Sequence, residues 1–75
     1  MEIKRQTSAN GTTHRIIAWT ACNHTFYEIE FLKYQSDDIN WWEKEISIVY
    51  NSRSEVEKVF NGLMKAYAII NEYNK

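Results

Sequence analysis

The sequence predicts an α+β fold in which a three-stranded antiparallel β-sheet, a meander, carries one C-terminal α-helix packed on one face. Apolar residues recur at helical spacing over 52–73, and β-branched and aromatic residues are concentrated in 12–34 and 45–51. The length of 75 residues suits a single small domain that buries roughly 60% of its unfolded surface. We therefore expect one α+β domain spanning 1–75.

Residues 1–11 are predicted to form a flexible lead, because they are mostly polar and end in the turn-favouring pair Asn10-Gly11. A short strand at Ile3 is left open. The lead lacks the apolar centre of a signal peptide, and the chain has no apolar run of about 18 residues that could cross a membrane. We expect a soluble, cytoplasmic protein.

Residues 12–34 are predicted to form a β-hairpin, because two β-rich runs flank a break at 22–24. A two-residue turn at Asn23-His24 makes the numbers of paired residues sum to 47. The predicted pairs on the helix-facing side are Ile16 with Phe31, Ala18 with Ile29, and Thr20 with Tyr27. The opposite face would carry Arg15, Ile17, Trp19, Glu28, Glu30 and Leu32. A different register is the alternative.

Residues 35–44 are predicted to be a loop, because Ser36-Asp37-Asp38 is typical of turns. Two tryptophans, Trp41 and Trp42, follow each other in this loop. We expect one of them to plug the core and the other to be available to a partner.

Residues 45–51 are predicted as the third strand, with Ile46, Ile48 and Tyr50 directed inward. Strands joined by short links usually pair as neighbours, which makes a meander the simplest topology.

Residues 52–73 are predicted to form the helix. Two overlapping capping boxes, Ser52 to Glu55 and Ser54 to Glu57, mark its start, so the first residue is left open by about two positions. Its apolar face consists of Val56, Val59, Phe60, Leu63, Tyr67 and Ile70. Gly62 interrupts this pattern at a cost of about 1 kcal/mol relative to alanine. Either another backbone passes close to Gly62, or the glycine has no packing role.

Charge is uneven along the chain, although the formal total is only −1. Residues 25–45 have two lysines and six carboxylates, whereas the segments on both sides are slightly positive. An acidic segment beside exposed aromatics would repel nucleic acid and attract a basic protein surface. The expected partner-binding residues are Trp19, Glu28, Glu30, Asp37, Asp38, Trp41, Trp42, Glu43 and Glu45.

Few side chains suit catalysis. Cys22 and His24 form a C-x-H pair at the hairpin turn, but zinc needs four ligands, and a nucleophilic pair needs an orienting third group and a cleft. Glu28 and Glu30 share one strand face with no sequence sign of a pocket. Cys22 is the single cysteine, so no internal disulfide can form. We expect no enzymatic activity, catalytic residue, metal or cofactor.

Three predicted strands followed by a helix resemble the double-stranded-RNA-binding domain without its first helix, and residues 52–55 fall where that family begins its final helix. The family has a phosphate-binding lysine cluster there, whereas this chain has Arg53 and Lys58 separated by Glu55 and Glu57. Direct nucleic-acid binding is therefore not expected, and a degenerate domain of this kind is an alternative.

In size, composition and charge pattern the chain resembles the small phage-encoded host-takeover proteins, and anti-CRISPR proteins in particular. The resemblance implies a protein-binding inhibitor, acting in a bacterial host cytoplasm, that occupies the nucleic-acid-binding groove of a nuclease. Its acidic residues would imitate phosphates, and Trp19, Trp41 or Trp42 would anchor the contact. The other possibility is a homodimeric interaction module, paired through Ile17, Trp19 and Leu32 or through a strand edge.

Overall fold

The computed structural model describes residues 1–75 and has one antiparallel sheet, ordered β1-β2-β3-β4, with a single C-terminal helix packed on one face. The elements are β1 (Glu2–Thr7), β2 (Thr13–Ala21), β3 (His24–Gln35), β4 (Asn40–Lys44) and α1 (Arg53–Tyr73). The predicted α+β class with a C-terminal helix is confirmed, but the prediction of three strands is wrong because the sheet has four. The resemblance to the double-stranded-RNA-binding domain in element order is therefore lost.

Strand β1 lies where a flexible lead is predicted. It pairs with β2 from Thr7 opposite Thr13 back to Lys4 opposite Ile16, where a bulge interrupts the register. The connection is a tight turn that includes Gly11 at φ +88°, a left-handed conformation that glycine adopts without strain. As an edge strand β1 contributes mainly Ile3 to the core, so its sequence is too polar for its periodicity to reveal it.

The predicted hairpin of β2 and β3 is present, but its register differs by two residues. Ile16 lies opposite Ile29, and Ala18 opposite Tyr27, so paired numbers sum to 45. The turn residues are Cys22 and Asn23, both at positive φ as a type I′ turn requires. Because side chains alternate with a period of two, this shift keeps every residue on its predicted face.

The last part of the sheet also differs from the prediction. Strand β4 lies inside the predicted loop, whereas 45–51 contributes only an isolated bridge from Tyr50 to Tyr27. The Glu45 amide donates to Ile29 O at 2.9 Å, so the chain advances five residues, from 45 to 50, while β3 advances two, from 29 to 27. The chain therefore bulges between Glu45 and Tyr50. Ile46 still packs against the core and Tyr50 is buried, as predicted, but Ile48, also predicted to point inward, is 53% exposed.

Helix α1 begins at the first of the two predicted caps, since Ser52 is its N-cap and accepts a hydrogen bond from the Glu55 amide at 3.3 Å. Its buried residues pack on the middle of the sheet. The core consists of Ile16, Ile29, Tyr50, Val56, Phe60 and Met64. Gly62 is exposed, and a Cβ there would have no atom within 4 Å, so no neighbouring backbone explains the glycine.

Candidate binding site

The end of the sheet where β3 turns into β4 gathers several of the predicted partner-binding residues. Tyr34 lies opposite Trp41, next to a register irregularity that falls at Lys33. The turn is closed by a hydrogen bond from the Ser36 amide to Ile39 O at 2.8 Å. Asp37 and Asp38 therefore lie at the tip of the hairpin.

The apolar side chains of this end are open to solvent. Tyr34 is 59% exposed, Ile39 58% and Trp41 57%. A shallow depression of ≈ 380 Å³ is lined by Lys33, Tyr34, Trp41 and Glu43. We define the hairpin-end surface as Lys33, Tyr34, Asp37, Asp38, Ile39, Trp41 and Glu43.

The hairpin-end surface carries negative charge that the chain does not neutralise. Lys33 Nζ lies 3.2 Å from Glu43 Oε1, which pairs these two residues. Asp37 and Asp38 are exposed and take part in none of the eight ion pairs of the chain. The surface therefore combines three solvent-exposed apolar side chains with two unpaired carboxylates.

Four more of the predicted residues lie on the outer sheet face, the side of the sheet away from α1. We define the outer sheet face as Glu2, Arg5, Arg15, Ile17, Trp19, Phe26, Glu28, Glu30, Leu32, Trp42 and Lys44. Glu28 is only 7% exposed there. It accepts a hydrogen bond from Trp19 Nε1 at 2.8 Å, and Lys44 Nζ lies 2.9 Å from its other oxygen. This carboxylate is satisfied within the chain.

Arginine side chains neutralise the rest of the outer sheet face. Arg15 donates to Glu30 at 2.8 Å and lies over the Trp42 ring, 3.9 Å from its centroid. Arg5 lies 5.1 Å from the same centroid and bonds to Glu2. The hydrogen bond from Arg5 lowers the pKa of Glu2. Trp42 thus lies under two cations of its own chain.

Glu45 is on the helix side of the sheet and belongs to neither surface. It accepts a hydrogen bond from the Tyr67 hydroxyl at 2.6 Å, which raises the pKa of Tyr67 to about 12. His14 is fully buried and bonds through Nδ1 to Thr12 O at 3.2 Å. Its Nε2 has no hydrogen-bond partner and lies 3.4 Å from Glu45. Glu45 therefore links β2 to α1.

The structure thus divides the nine predicted residues. Asp37, Asp38, Trp41 and Glu43 lie together on the hairpin-end surface. Trp19, Glu28, Glu30 and Trp42 lie on the outer sheet face, and Glu45 lies beneath the helix. Neither tryptophan of the adjacent pair plugs the core, because Trp42 lies half-buried on the outer sheet face and Trp41, which points to the other face, is 57% exposed.

Sequence reasoning missed three members of the hairpin-end surface, Lys33, Tyr34 and Ile39. Tyr34 could be assigned only once β4 was known to pair with the end of β3. Ile39 had a signal of its own, because it is an apolar residue directly after the turn segment Ser36-Asp37-Asp38.

The opposite end of the hairpin holds the two residues with potential chemistry. Cys22 is exposed at the turn, and an open depression of ≈ 460 Å³ is lined by residues 23–27 and Asn51. His24 faces Phe26, with 6.4 Å between ring centroids. No group of three or more His, Cys, Asp or Glu side chains in the structure could hold a metal ion.

Comparison with known proteins identifies no relative. No protein-family model matches the sequence. The search of curated proteins gives no significant match, and neither does the search of solved structures. The structure has no helix whose length and apolar character would allow it to cross a lipid bilayer.

Proposed function

We propose that the protein is a non-enzymatic protein-binding module whose partner docks on the hairpin-end surface. The observation that carries this proposal is the exposure of Tyr34, Ile39 and Trp41 beside Asp37 and Asp38, two carboxylates that no cation of the chain neutralises. Exposed aromatic residues with a polar surround are the side chains that most often anchor protein interfaces.

The charge of this surface indicates the chemistry of the partner. Lys33 and Glu43 cancel each other, so Asp37 and Asp38 leave a net charge of −2. A protein with basic residues around an apolar pocket would bury the aromatics and neutralise the carboxylates together. Nucleic acid would be repelled by the same two charges.

Within this class we propose an inhibitor of a nucleic-acid-binding protein, in line with the resemblance to anti-CRISPR proteins. The cations that bind phosphates in such a partner would contact Asp37 and Asp38, and Trp41 would enter an adjacent apolar depression. This version of phosphate imitation uses two carboxylates, because Glu28, Glu30, Glu43 and Glu45 have partners within the chain.

The test is binding to a panel of purified CRISPR nucleases, measured by biolayer interferometry, with cleavage of target DNA as the activity readout. We expect one nuclease to bind and to lose cleavage activity. The double variants Tyr34→Ala with Trp41→Ala and Asp37→Asn with Asp38→Asn should each weaken binding at least tenfold, about 1.4 kcal/mol.

Two controls separate the surface from general effects. Ile48→Ala with Val49→Ala removes equally exposed apolar side chains elsewhere and should leave binding unchanged. Gln6→Lys with Thr25→Lys adds two positive charges at exposed strand positions away from the surface. If the controls weaken binding as much as the test variants do, the hairpin-end surface is not the binding site.

A further inference from the structure

Helix α1 has a second apolar stripe that the sheet does not cover. Val59, Gly62, Ala66, Ile69 and Tyr73 recur at alternating spacings of three and four residues, and we call them the helix seam. Val59 borders the core and is partly buried, whereas the other four residues are exposed. Ile69 is 59% and Tyr73 86% exposed.

The helix seam lies on one flank of the helix. Asn61, on the other flank, accepts a hydrogen bond from Lys4 of β1 at 2.8 Å. With about 100° between successive residues, the seam and Asn61 lie on opposite sides of the buried face. The seam therefore lies on the flank of α1 away from β1.

We propose that the helix seam is a homodimer interface in which the helices of two copies pack antiparallel. The alternating spacing is that of a helix packed against another helix. Residues 1–75 include one helix, so the seam has no second helix to pack against within them, and a second copy supplies one. Because α1 is already held by the sheet, two heptads suffice for the contact and no long coiled coil is needed.

A two-fold axis near the middle of the seam pairs side chains of compatible size. Gly62 of each copy meets Ala66 of the other, so two small layers form the centre and let the helices approach closely. Val59 of each copy then packs against Ile69 of the other. The exposed Gly62, which has no packing role within its own chain, acquires one in the dimer.

The charges beside the seam favour the antiparallel orientation. Lys58, Lys65 and Glu72 border the seam on its solvent side. Glu72 forms an exposed ion pair with Lys75 of its own chain at 3.0 Å. In the antiparallel pair, Lys58 of each copy lies beside Glu72 of the other and adds a second cation to it, whereas Lys65 meets its symmetry mate. In a parallel pair, Lys58 and Glu72 would be 14 residues apart, about 21 Å along the helix.

The test is analytical ultracentrifugation of the full chain at concentrations up to about 1 mM, which detects dimers whose dissociation constant is about 1 mM or lower. We expect the mass to rise towards that of a dimer. Gly62→Glu places a carboxylate in the centre of the seam and should yield a monomer. A Cβ at position 62 has open space in the single chain, so this variant stays folded.

The matched control is Ala68→Glu, the same charge on an exposed helix position away from the seam, which should still dimerise. Lys58→Glu should weaken dimerisation at least threefold, and adding Glu72→Lys should restore it. A wild-type monomer at the highest concentration would overturn the proposal. So would a dimer that survives Gly62→Glu and dissociates in Trp19→Ser, which would assign the interface to the outer sheet face.

Discussion

The outer sheet face and the hairpin-end surface have similar compositions but different chemistry. Both combine aromatic rings with carboxylates. On the outer sheet face, Glu28 and Glu30 have cationic partners and Trp42 lies under Arg15. On the hairpin-end surface, Asp37 and Asp38 have none, and Trp41 is in water. Composition therefore does not distinguish a structural cluster from a candidate interface, whereas the pairing of each charge does.

The largest expected effect is on stability, and it differs between the two adjacent tryptophans. Trp42→Ala removes a half-buried ring and the stacking of Arg15, and should lower the free energy of unfolding by about 2–3 kcal/mol. Trp41→Ala removes an exposed ring and should change it by less than about 0.5 kcal/mol. Urea unfolding followed by circular dichroism measures both. Equal effects would contradict the contrast between the surfaces.

The next effect contrasts two carboxylates. Glu28→Ala leaves the indole N–H of Trp19 without its acceptor and Lys44 without its partner, and should cost about 2 kcal/mol of stability. Asp38→Ala removes an exposed, unpaired carboxylate and should leave stability unchanged within about 0.5 kcal/mol. The measurement is again the midpoint of urea unfolding. A destabilised Asp38→Ala would reveal an internal role for the hairpin tip.

A third prediction concerns Glu45, the predicted site residue that lies on neither surface. Tyr67→Phe removes the hydroxyl that donates to it and should cost about 1 kcal/mol near pH 7. The pKa of Tyr67 is raised from 10 to about 12 in the folded chain, so this stabilisation is complete below pH 10 and is lost as the pH rises towards 12.

The predicted loss of stability with rising pH can be checked by measuring the free energy of unfolding between pH 9 and about 12. The wild type should lose stability over this interval more steeply than Tyr67→Phe, and the two proteins should converge at its upper end. A constant difference between them would mean that the hydrogen bond does not govern the titration of Tyr67.

The smallest effect on stability tests whether pairing is what sets the hairpin-end surface apart. Lys33→Ala breaks an exposed ion pair and should change stability by less than about 0.5 kcal/mol. It also frees Glu43, so the surface gains one negative charge. Binding of a basic partner should then strengthen about threefold at low salt, and this gain should disappear in high salt. Unchanged binding would show that Lys33 and Glu43 lie outside the interface.

The sequence was sufficient for the parts of the fold that carry strong periodicity or a cap. The regular apolar face predicts helix α1, and two overlapping capping boxes predict its start to within about two residues, of which Ser52 is the cap in the structure. The faces of β2 and β3 were also predicted correctly, since a register error of two residues does not exchange them.

The two edge strands could not be predicted in the same way. β1 is polar because it contributes little to the core, and its pairing with β2 is a tertiary feature. β4 is short and includes two adjacent tryptophans, which break any alternating pattern. Conversely, Ile46, Ile48 and Tyr50 alternate as in a strand. They do not form one, because five residues of this segment span only two residues of β3.

The error in the predicted register is the reason why the sequence did not show that the acidic residues are neutralised within the chain. The predicted pairing placed Arg15 opposite Leu32, whereas the observed pairing places it opposite Glu30. A shift of two residues therefore turned a free carboxylate into one side of an ion pair. Because ion pairs depend on distances of a few ångströms, predicting them needs the exact register as well as the correct face.

The bulge at 46–49 lets the end of β4 and the start of the helix be positioned independently. Strand β4 ends at a fixed point on β3, and Tyr50 resumes pairing at another, shortly before the helix begins. Since the intervening residues are in excess, their number can change without moving either anchor. A deletion or an insertion at Ser47 would then change only the length of the bulge. A peptide could be grafted there, or the loop varied, while the helix keeps its packing on the sheet.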